Sequence, residues 1–280
     1  MEVSFHFWQE AIKKEIFRMM RSLWSAASGM KGQQKQMDIV AHNLANVNTT
    51  GAKAQRAEFQ DLLYQTLRAG GAESGDGNMY PTPMQIGLGS RLSATNRIFV
   101  QGNVQTTDNP TDLCIQGEGF FQIQMPDGTT GYTRDGSFKI DANRNLVTSD
   151  GYPLVEGITF PENATLDSVV ISSTGAVSCE VDGQQQDVGQ IELARFLNPA
   201  GLTAVGKNLF VESAASGEPQ VNEPGNDGTG TLLQSCLEMS SVQIVDEMVN
   251  MIVSQRAYES NSKAITTSDS MLEIANGLKR

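Results

Sequence analysis

Apolar residues recur at helical spacing near both ends of the chain. Alternating steps of four and three residues define one seam near the N terminus, which is the pattern of a coiled coil. This seam comprises Leu23, Ala27, Met30, Gln34, Met37, Ala41 and Leu44. The same steps recur near the C terminus at Leu237, Ser241, Ile244, Met248, Met251, Gln255, Tyr258, Ser262 and Ile265, beside a second stripe of Val242, Val245, Val249 and Ile252. Two stripes on one helix favour more than one neighbour, although two helices packed on a common core of their own chain fit the pattern too.

The N-terminal seam predicts a helix that needs a partner. Gly29 and Gly32 lie inside it, and each glycine costs a helix about 1 kcal/mol relative to alanine. Its alanines and methionines allow close and adaptable packing. We therefore expect this helix to be weak alone and to gain order when it packs against another helix.

The middle of the chain has the pattern of short strands. Apolar and polar residues alternate from Phe121 to Met125 and from Ser137 to Asp141. The tripeptides PDG, RDG, SDG and VDG, which begin at residues 126, 134, 149 and 181, are typical hairpin turns. Residues 68–88 and 213–231 are polar and glycine-containing, as expected of loops or extended straps.

We predict an α+β fold from this order of elements. The N- and C-terminal helices are paired as a coiled coil, with an inserted all-β domain and an extended linker strap. The expected domains are an extra segment at 1–18, a helical domain of 19–60 plus 236–280, a strap at 61–95 and a β-rich outer domain at 96–235.

Charge excludes some partners. The 280 residues include 20 basic and 32 acidic side chains, a formal charge of −12, which disfavours nucleic acid and anionic membranes. Residues 61–235 carry eight basic against 21 acidic residues, whereas both ends are close to neutral. Near-neutral ends suit surfaces that are buried against protein.

We find no constellation for catalysis, cofactors or metals. The chain has two histidines, His6 and His42, and no His, Cys or carboxylate lies three or four residues after His42. Cys114, Cys179 and Cys236 are far apart and form no zinc or redox motif. Gly117-Glu118-Gly119 lacks the third glycine of a nucleotide loop. An enzyme would need perturbed carboxylates among residues such as Asp127, Asp135 and Asp150, which are more typical of turns.

The first helix ends in neutral amides and hydroxyls followed by glycine, in the sequence AHNLANVNTTGAK. We expect Asn43, Asn46, Asn48 and Thr50 to cap the helix and to pin it to neighbouring subunits without burying an unpaired charge. The alternative is a simple cap with amides that face solvent. Gly51 suits the left-handed conformation that ends a helix.

Motifs at both ends and in the body resemble the flagellar rod and hook family. Ala45–Gly51 is similar to the ANxxTxG helix end of that family, and Gln255–Glu259 to the core of its C-terminal helix. Between them, RAEFQDLLYQTLR and QIGLGSRLSATNRIFVQGNVQTTDNP are similar to the distal-rod branch in particular. The resemblance runs from about Met20 to Leu272. The family commonly has an aromatic residue where this chain has Ala52, and the tail EIANGLKR is more polar than usual.

The resemblance implies a structural subunit and no enzyme. It implies terminal helices that pair antiparallel along the inner wall of a helical homo-polymer, a rod that spans the periplasm in the flagellar basal body. The implied partners are proximal rod proteins, the hook protein, the P and L ring proteins and the flagellar type III export apparatus, with no nucleic acid and no membrane insertion. Export through that apparatus implies no cleaved signal peptide.

Residues 1–18 have no counterpart in the family. We interpret them as the product of a start site assigned too early, with Met19 or Met20 as the true start. Otherwise Phe5, Phe7, Trp8, Ile12 and Ile16 predict a short amphipathic helix.

The predicted assembly interface combines both seams with the helix-end motif. Its members are Leu23, Ala27, Met30, Met37, Asn43, Leu44, Asn46, Asn48, Thr50, Gly51, Ile244, Met248, Met251, Gln255, Arg256, Tyr258 and Ile265. Two alternatives stay open at this point: a proximal rod or hook subunit, and a secreted β-rich binding protein whose helices pack on its own core.

Overall fold

The chain has one long helix at each end and a β-rich middle. The computed structural model describes residues 2–72, 79–164, 168–181 and 183–277. Helix α1 spans Glu2–Ala45 and helix α2 spans Ile244–Gly277. The α+β class predicted from the sequence is confirmed. Helix α1 includes residues 2–18, but the side chains of residues 2–20 lie outside the described part of the structure.

Short strands make up the middle of the chain. They are β1 (Gln55–Asp61), β2 (Tyr64–Arg68), β3 (Met84–Gly87), β4 (Ser90–Arg97), β5 (Val104–Thr106), β6 (Leu113–Gln116), β7 (Phe120–Gln124), β8 (Thr130–Thr133), β9 (Lys139–Ile140), β10 (Leu146–Val147), β11 (Val170–Ile171), β12 (Ala176–Val181), β13 (Gln184–Gln190), β14 (Leu193–Arg195), β15 (Thr203–Gly206), β16 (Leu209–Val211), β17 (Gln220–Asn222), β18 (Thr231–Gln234) and β19 (Cys236–Glu238).

Two compact units share these elements. The first contains residues up to His42, Gln55–Asn96 and the chain from Val245 onward, and the second contains Asn43–Ala54 and Arg97–Ile244. The last residues of α1 and the first residue of α2 thus belong to the second, β-rich unit. The predicted strap, residues 61–95, contains β2, β3 and most of β4.

In the first unit, small residues of α1 meet other elements closely. The hydroxyls of Ser22 and Ser268 are 3.3 Å apart, and a Cβ added at Gly29 would lie 2.8 Å from Nδ2 of Asn261. The two contacts bring α1 and α2 side by side within the unit, at points seven residues apart on each helix. Strand β1 pairs with β4, and β2 pairs with β3.

The second unit is built on antiparallel sheets. Six strands follow the order β15-β16-β8-β7-β14-β17, three follow β11-β12-β13, and β18 with β6 and β19 with β5 form ribbons. Strand β7 illustrates the alternation of faces. Phe121 and Ile123 enter the main apolar core, whereas Phe120 enters an aromatic cluster with Tyr132, Phe196 and Phe210.

The PDG and VDG turns join paired strands where the sequence predicts them. The RDG prediction is wrong, because β8, which precedes Arg134, pairs with β7 and β16 and not with β9. The PDG turn connects β7 to β8, with Gln124 opposite Thr130, and the VDG turn connects β12 to β13, with Val181 opposite Gln184. Glycine supplies the positive φ that such turns need: 79° at Gly128 and 81° at Gly183. The PDG and VDG hairpin predictions are confirmed.

Candidate functional site

The helix-end motif folds into a tight turn directly after α1. The amide of Asn46 donates to the carbonyl of Asn43, and the amide of Thr49 donates to the carbonyl of Asn46, at 3.1 and 3.2 Å. The Thr49 hydroxyl also donates to Oδ1 of Asn46. Main-chain amides thus satisfy carbonyls at the end of the helix, and the bond between the Thr49 and Asn46 side chains adds a polar contact within the turn.

Gly51 is required at the end of this turn for two reasons. Its φ is +66°, a left-handed conformation that L residues other than glycine rarely adopt. A Cβ at this position would also lie 2.7 Å from the carbonyl carbon of Arg134 and from the amide nitrogen of Asp135. The motif therefore packs its backbone directly on the backbone that follows β8.

The segment after Gly51 pairs with the segment that precedes α2. The amide of Gly51 donates to the carbonyl of Glu238 at 2.8 Å, and the amide of Ser241 donates to the carbonyl of Ala52 at 3.1 Å. The amide of Ala54 then donates to the Ser241 hydroxyl at 3.0 Å. The chain leaving α1 and the chain entering α2 are thus hydrogen-bonded to each other inside the second unit.

Three charged side chains are buried beside this pairing. Lys53 Nζ donates to Glu238 Oε1 at 2.5 Å, and Arg134 Nη1 donates to Glu238 Oε2 at 3.3 Å. The side chains of Lys53, Glu238 and Arg134 are 0%, 1% and 4% exposed. We call these three residues the charge cluster.

Burial dominates the electrostatics of the charge cluster. Loss of water lowers the pKa of Lys53 and the pKa of Arg134, and the adjacent Glu238 carboxylate opposes both shifts. Burial, with Glu238 nearby, raises the pKa of the Cys114 thiol to about 11. This thiol is therefore a buried, protonated neighbour of the cluster and a poor nucleophile.

The predicted assembly residues of α1 lie beside the stripe that the chain buries itself. Leu23, Ala27, Met30, Met37 and Leu44 are half-buried. Among the described side chains of α1, Ala26, Gly32, Ile39, Val40 and Asn43 are buried, and three of them, Ala26, Val40 and Asn43, precede a seam position by one residue. Asn46 and Thr50 are half-buried, Asn48 is exposed and Gly51 is buried. The predicted seam thus keeps part of its apolar surface accessible.

Helix α2 carries a large apolar face that the chain leaves exposed. Its members are Ile244, Val245, Met248, Val249, Ile252 and Val253, which are between 48% and 73% exposed. We call these six residues the α2 apolar face. Of the other predicted positions, Met251 and Ile265 are half-buried, Gln255 and Arg256 are exposed, and Tyr258 is 40% exposed. Arg256 forms an ion pair with Glu259.

The carboxylates that an enzyme would need lie in ordinary structural roles. Asp135 accepts hydrogen bonds from the Ser137 amide and hydroxyl, and Asp150 lies 3.8 Å from Lys207 Nζ. Among the described residues, no group of His, Cys, Asp and Glu is placed to hold a metal ion. The helices that the structure describes include none long and apolar enough to cross a bilayer.

Comparisons with known proteins agree with this arrangement. Residues 23–53 match the family model described as flagella basal body rod protein, residues 114–179 match the flagellar hook protein FlgE/F/G D1 domain, and residues 233–278 match the flagellar basal body rod FlgEFG protein C-terminal model. The flagellar basal-body rod protein FlgG of Borreliella burgdorferi is 55% identical over 264 residues, which cover 94% of this chain and all of that protein. FlgG of Caulobacter vibrioides is 49% identical over 93% of this chain and all of its own length. This chain belongs to the FlgG family of flagellar basal-body rod proteins.

Membership in the FlgG family makes the chain a structural subunit of the rod and not an enzyme. A more distant relative, the flagellar hook-basal body complex protein FlhP of Bacillus subtilis, is 30% identical over 93% of this chain and all of its own length. The three matched regions carry one member of the charge cluster each: Lys53, Arg134 and Glu238. The cluster thus joins residues from all three regions that match the family models.

The charge cluster is not among the sites predicted from the sequence, although the sequence contains a signal for two of its members. Lys53 is the only Lys, Arg, Asp or Glu between Asp38 and Arg56, and Glu238 is the only one between Asp227 and Asp246. An isolated charge in a long neutral stretch is a candidate for a buried partner. Arg134 has no such signal, because it is followed by Asp135 in a turn.

Proposed function

We propose that this chain is the subunit of the flagellar distal rod and that it polymerises through its two terminal helices into a rigid helical tube. The observation that supports this most directly is the α2 apolar face. Exposed apolar patches of this kind mark interaction sites on soluble proteins, and several such residues repeat at helical spacing on α2. A helix with this face exposed is expected to bury it against other copies.

We propose further that α1 and α2 pair antiparallel as a coiled coil. Ser22 lies against Ser268 and Gly29 approaches Asn261, so seven residues forward on α1 correspond to seven residues backward on α2. One heptad on each helix separates the two contacts, as expected for a helical pair. The half-buried seam from Leu23 to Leu44 then remains available to neighbouring subunits.

The proposed partners follow from the place of a distal rod in the basal body. They are proximal rod proteins on one side, the hook protein on the other, the P and L ring proteins around the rod, and the flagellar type III export apparatus that delivers the subunit to a rod spanning the periplasm. The formal charge of −12 fits protein partners and disfavours nucleic acid.

Electron microscopy of the purified chain at rising concentration tests this function. We expect straight tubes from the full chain and none from a variant with Val245→Gln, Val249→Gln and Ile252→Gln. The control carries Val170→Gln, Val205→Gln and Val221→Gln, which replace three exposed valines of the β-rich unit. A full chain that stays monomeric with both helices protected would contradict polymerisation and favour a secreted binding protein.

A further inference from the structure

The charge cluster is not explained by the packing of the terminal helices. Lys53 follows the end of α1 at Ala45 by eight residues, and Glu238 precedes the start of α2 at Ile244 by six residues. Lys53 and Glu238 are 185 residues apart in sequence. Both lie inside the second unit, where they meet next to the backbone pairing of the two segments.

The Glu238 carboxylate is held by donors from three places in the chain. Its Oε1 accepts from Lys53 and from the amide of Gly102 at 2.9 Å, and its Oε2 accepts from Arg134. Glycine is needed at position 102, because a Cβ there would lie 1.9 Å from the carbonyl oxygen of Met239. The site is therefore shaped around this carboxylate.

The two cations complete their contacts with main-chain oxygens. Lys53 Nζ donates to the carbonyl of Val100 at 2.9 Å, and Arg134 Nη2 donates to the carbonyl of Gly117 at 2.6 Å. Arg134 Nε is buried and has no partner within the described part of the chain. Carbonyl dipoles thus offset part of the excess positive charge that one carboxylate leaves.

The charge cluster contains two buried cations, Lys53 and Arg134, and one carboxylate, Glu238. Both cations pair with Glu238, which is therefore the central member of the cluster. Removal of Lys53 would leave Arg134 and Glu238 as a balanced pair, whereas removal of the Glu238 charge would leave two buried cations facing each other without an anion in contact. The cluster is therefore stable only while the segment before α2 is in place.

We propose that the charge cluster is a clasp that makes the segment after α1 and the segment before α2 order together. With the clasp closed, the segment after α1 and the segment before α2 are held together within the β-rich unit. With it open, residues 51–54 and 238–241 lose their mutual hydrogen bonds while the main apolar core remains folded. The consequence for assembly, that a chain with an open clasp polymerises poorly, rests on the proposed rod function.

Hydrogen exchange on the full-length protein tests the clasp without reference to assembly. Glu238→Gln should accelerate exchange of the amides of Gly51, Ala54, Gly102 and Ser241 by about 100-fold or more, since breaking a buried ion pair on one side is strongly destabilising. Core amides of β7 and β8 should remain more protected than these four amides in both proteins. Glu218→Gln, at an exposed carboxylate, is the matched control. Unchanged exchange at the four amides would overturn the proposal.

A double variant separates charge from packing. Lys53→Met alone should accelerate exchange at these amides less than Glu238→Gln. Adding Lys53→Met to Glu238→Gln should slow exchange relative to Glu238→Gln alone, because it removes one of two buried cations that repel each other. If the effects of the two substitutions on amide exchange instead add, the residues act by packing only and the clasp proposal is wrong.

Tube formation by the same variants keeps the two proposals distinct. If the wild-type chain polymerises and Glu238→Gln does not, while the double variant recovers part of the assembly, both proposals are supported. If the wild-type chain fails to polymerise but the exchange pattern is as expected, the rod proposal fails and the clasp stands.

Discussion

At the scale of single residues, Gly51 shows how backbone geometry and packing act on the same position. Its positive φ alone would disfavour any other residue, and the backbone of Arg134 and Asp135 leaves no space for a side chain. Gly157 separates these two effects. Its φ is 62°, and among the described residues no atom beyond its two chain neighbours lies within 4 Å of the Cβ it would carry. The pair therefore forms a matched comparison.

Substitution of Gly51 by alanine is expected to be much more costly than the same change at Gly157. We expect Gly157→Ala to lower the free energy of unfolding by about 1 kcal/mol through strain alone, and Gly51→Ala to lower it by roughly 3 kcal/mol or more through strain and clash. Urea unfolding of the two variants measures the difference. Equal losses would mean that the contact with Arg134 and Asp135 does not form.

Glu156 predicts a pH dependence of stability. Burial raises its pKa from 4.5 to about 7, and its Oε2 is buried without a partner among the described residues. Between pH 4.5 and about 7, the folded state therefore holds a proton on this carboxyl that the unfolded chain releases. Its contribution to stability is full below pH 4.5 and is lost as the pH rises to about 7.

Glu156→Gln removes this loss, since glutamine stays neutral. We expect the variant to exceed the wild type in the free energy of unfolding at pH 8 by an amount on the order of 1 kcal/mol, and the difference to shrink toward zero near pH 4.5. Urea unfolding of both proteins across this range isolates the Glu156 contribution from other carboxyls. A difference that does not change with pH would contradict the burial of this group.

At the scale of elements, local chemistry predicted the strands better than the helix faces. The PDG and VDG turns each need a glycine with positive φ, and this requirement can be read from a few neighbouring residues. A short window of sequence was therefore sufficient to predict these two hairpins. Three buried positions of α1, Ala26, Val40 and Asn43, lie one residue before positions of the predicted seam. Heptad spacing alone cannot decide which of two adjacent stripes on α1 is buried, because small residues such as Ser22 and Gly29 form the closest contacts between α1 and α2.

The approach of Gly29 to Asn261 gives a test of how α1 and α2 meet. Alanine at position 29 should gain about 1 kcal/mol of helix propensity, but its Cβ would lie 2.8 Å from Nδ2 of Asn261. We expect Gly29→Ala to gain little or to lose stability in the wild-type background and to show the gain in an Asn261→Ala background. Thermal unfolding followed by circular dichroism measures both. The same effect in the two backgrounds would mean that the residues do not meet.

At the scale of the whole molecule, the contacts that define the candidate site are too distant in sequence to be predicted from local patterns. Lys53, Arg134 and Glu238 come from three regions, and only the isolation of Lys53 and Glu238 among neutral residues hinted at burial. The resemblance to the rod and hook family supplied the function, because that inference used motifs and not contacts. The backbone pairing of residues 51–54 with 238–241 became visible only in three dimensions.

This pairing predicts where the C-terminal part of the chain can be removed. A chain that ends at Ile244 loses most of α2 but keeps β19, the Glu238 carboxylate and the hydrogen bonds to Gly51 and Ala52. A chain that ends at Ser235 loses all of these and leaves Lys53 and Arg134 buried without their anion. We expect the first truncation to retain the cooperative urea unfolding of the β-rich unit and the second to shift its midpoint strongly downward. Equal midpoints would place residues 236–244 with the helices, as the sequence alone suggested, and would remove the structural basis of the clasp.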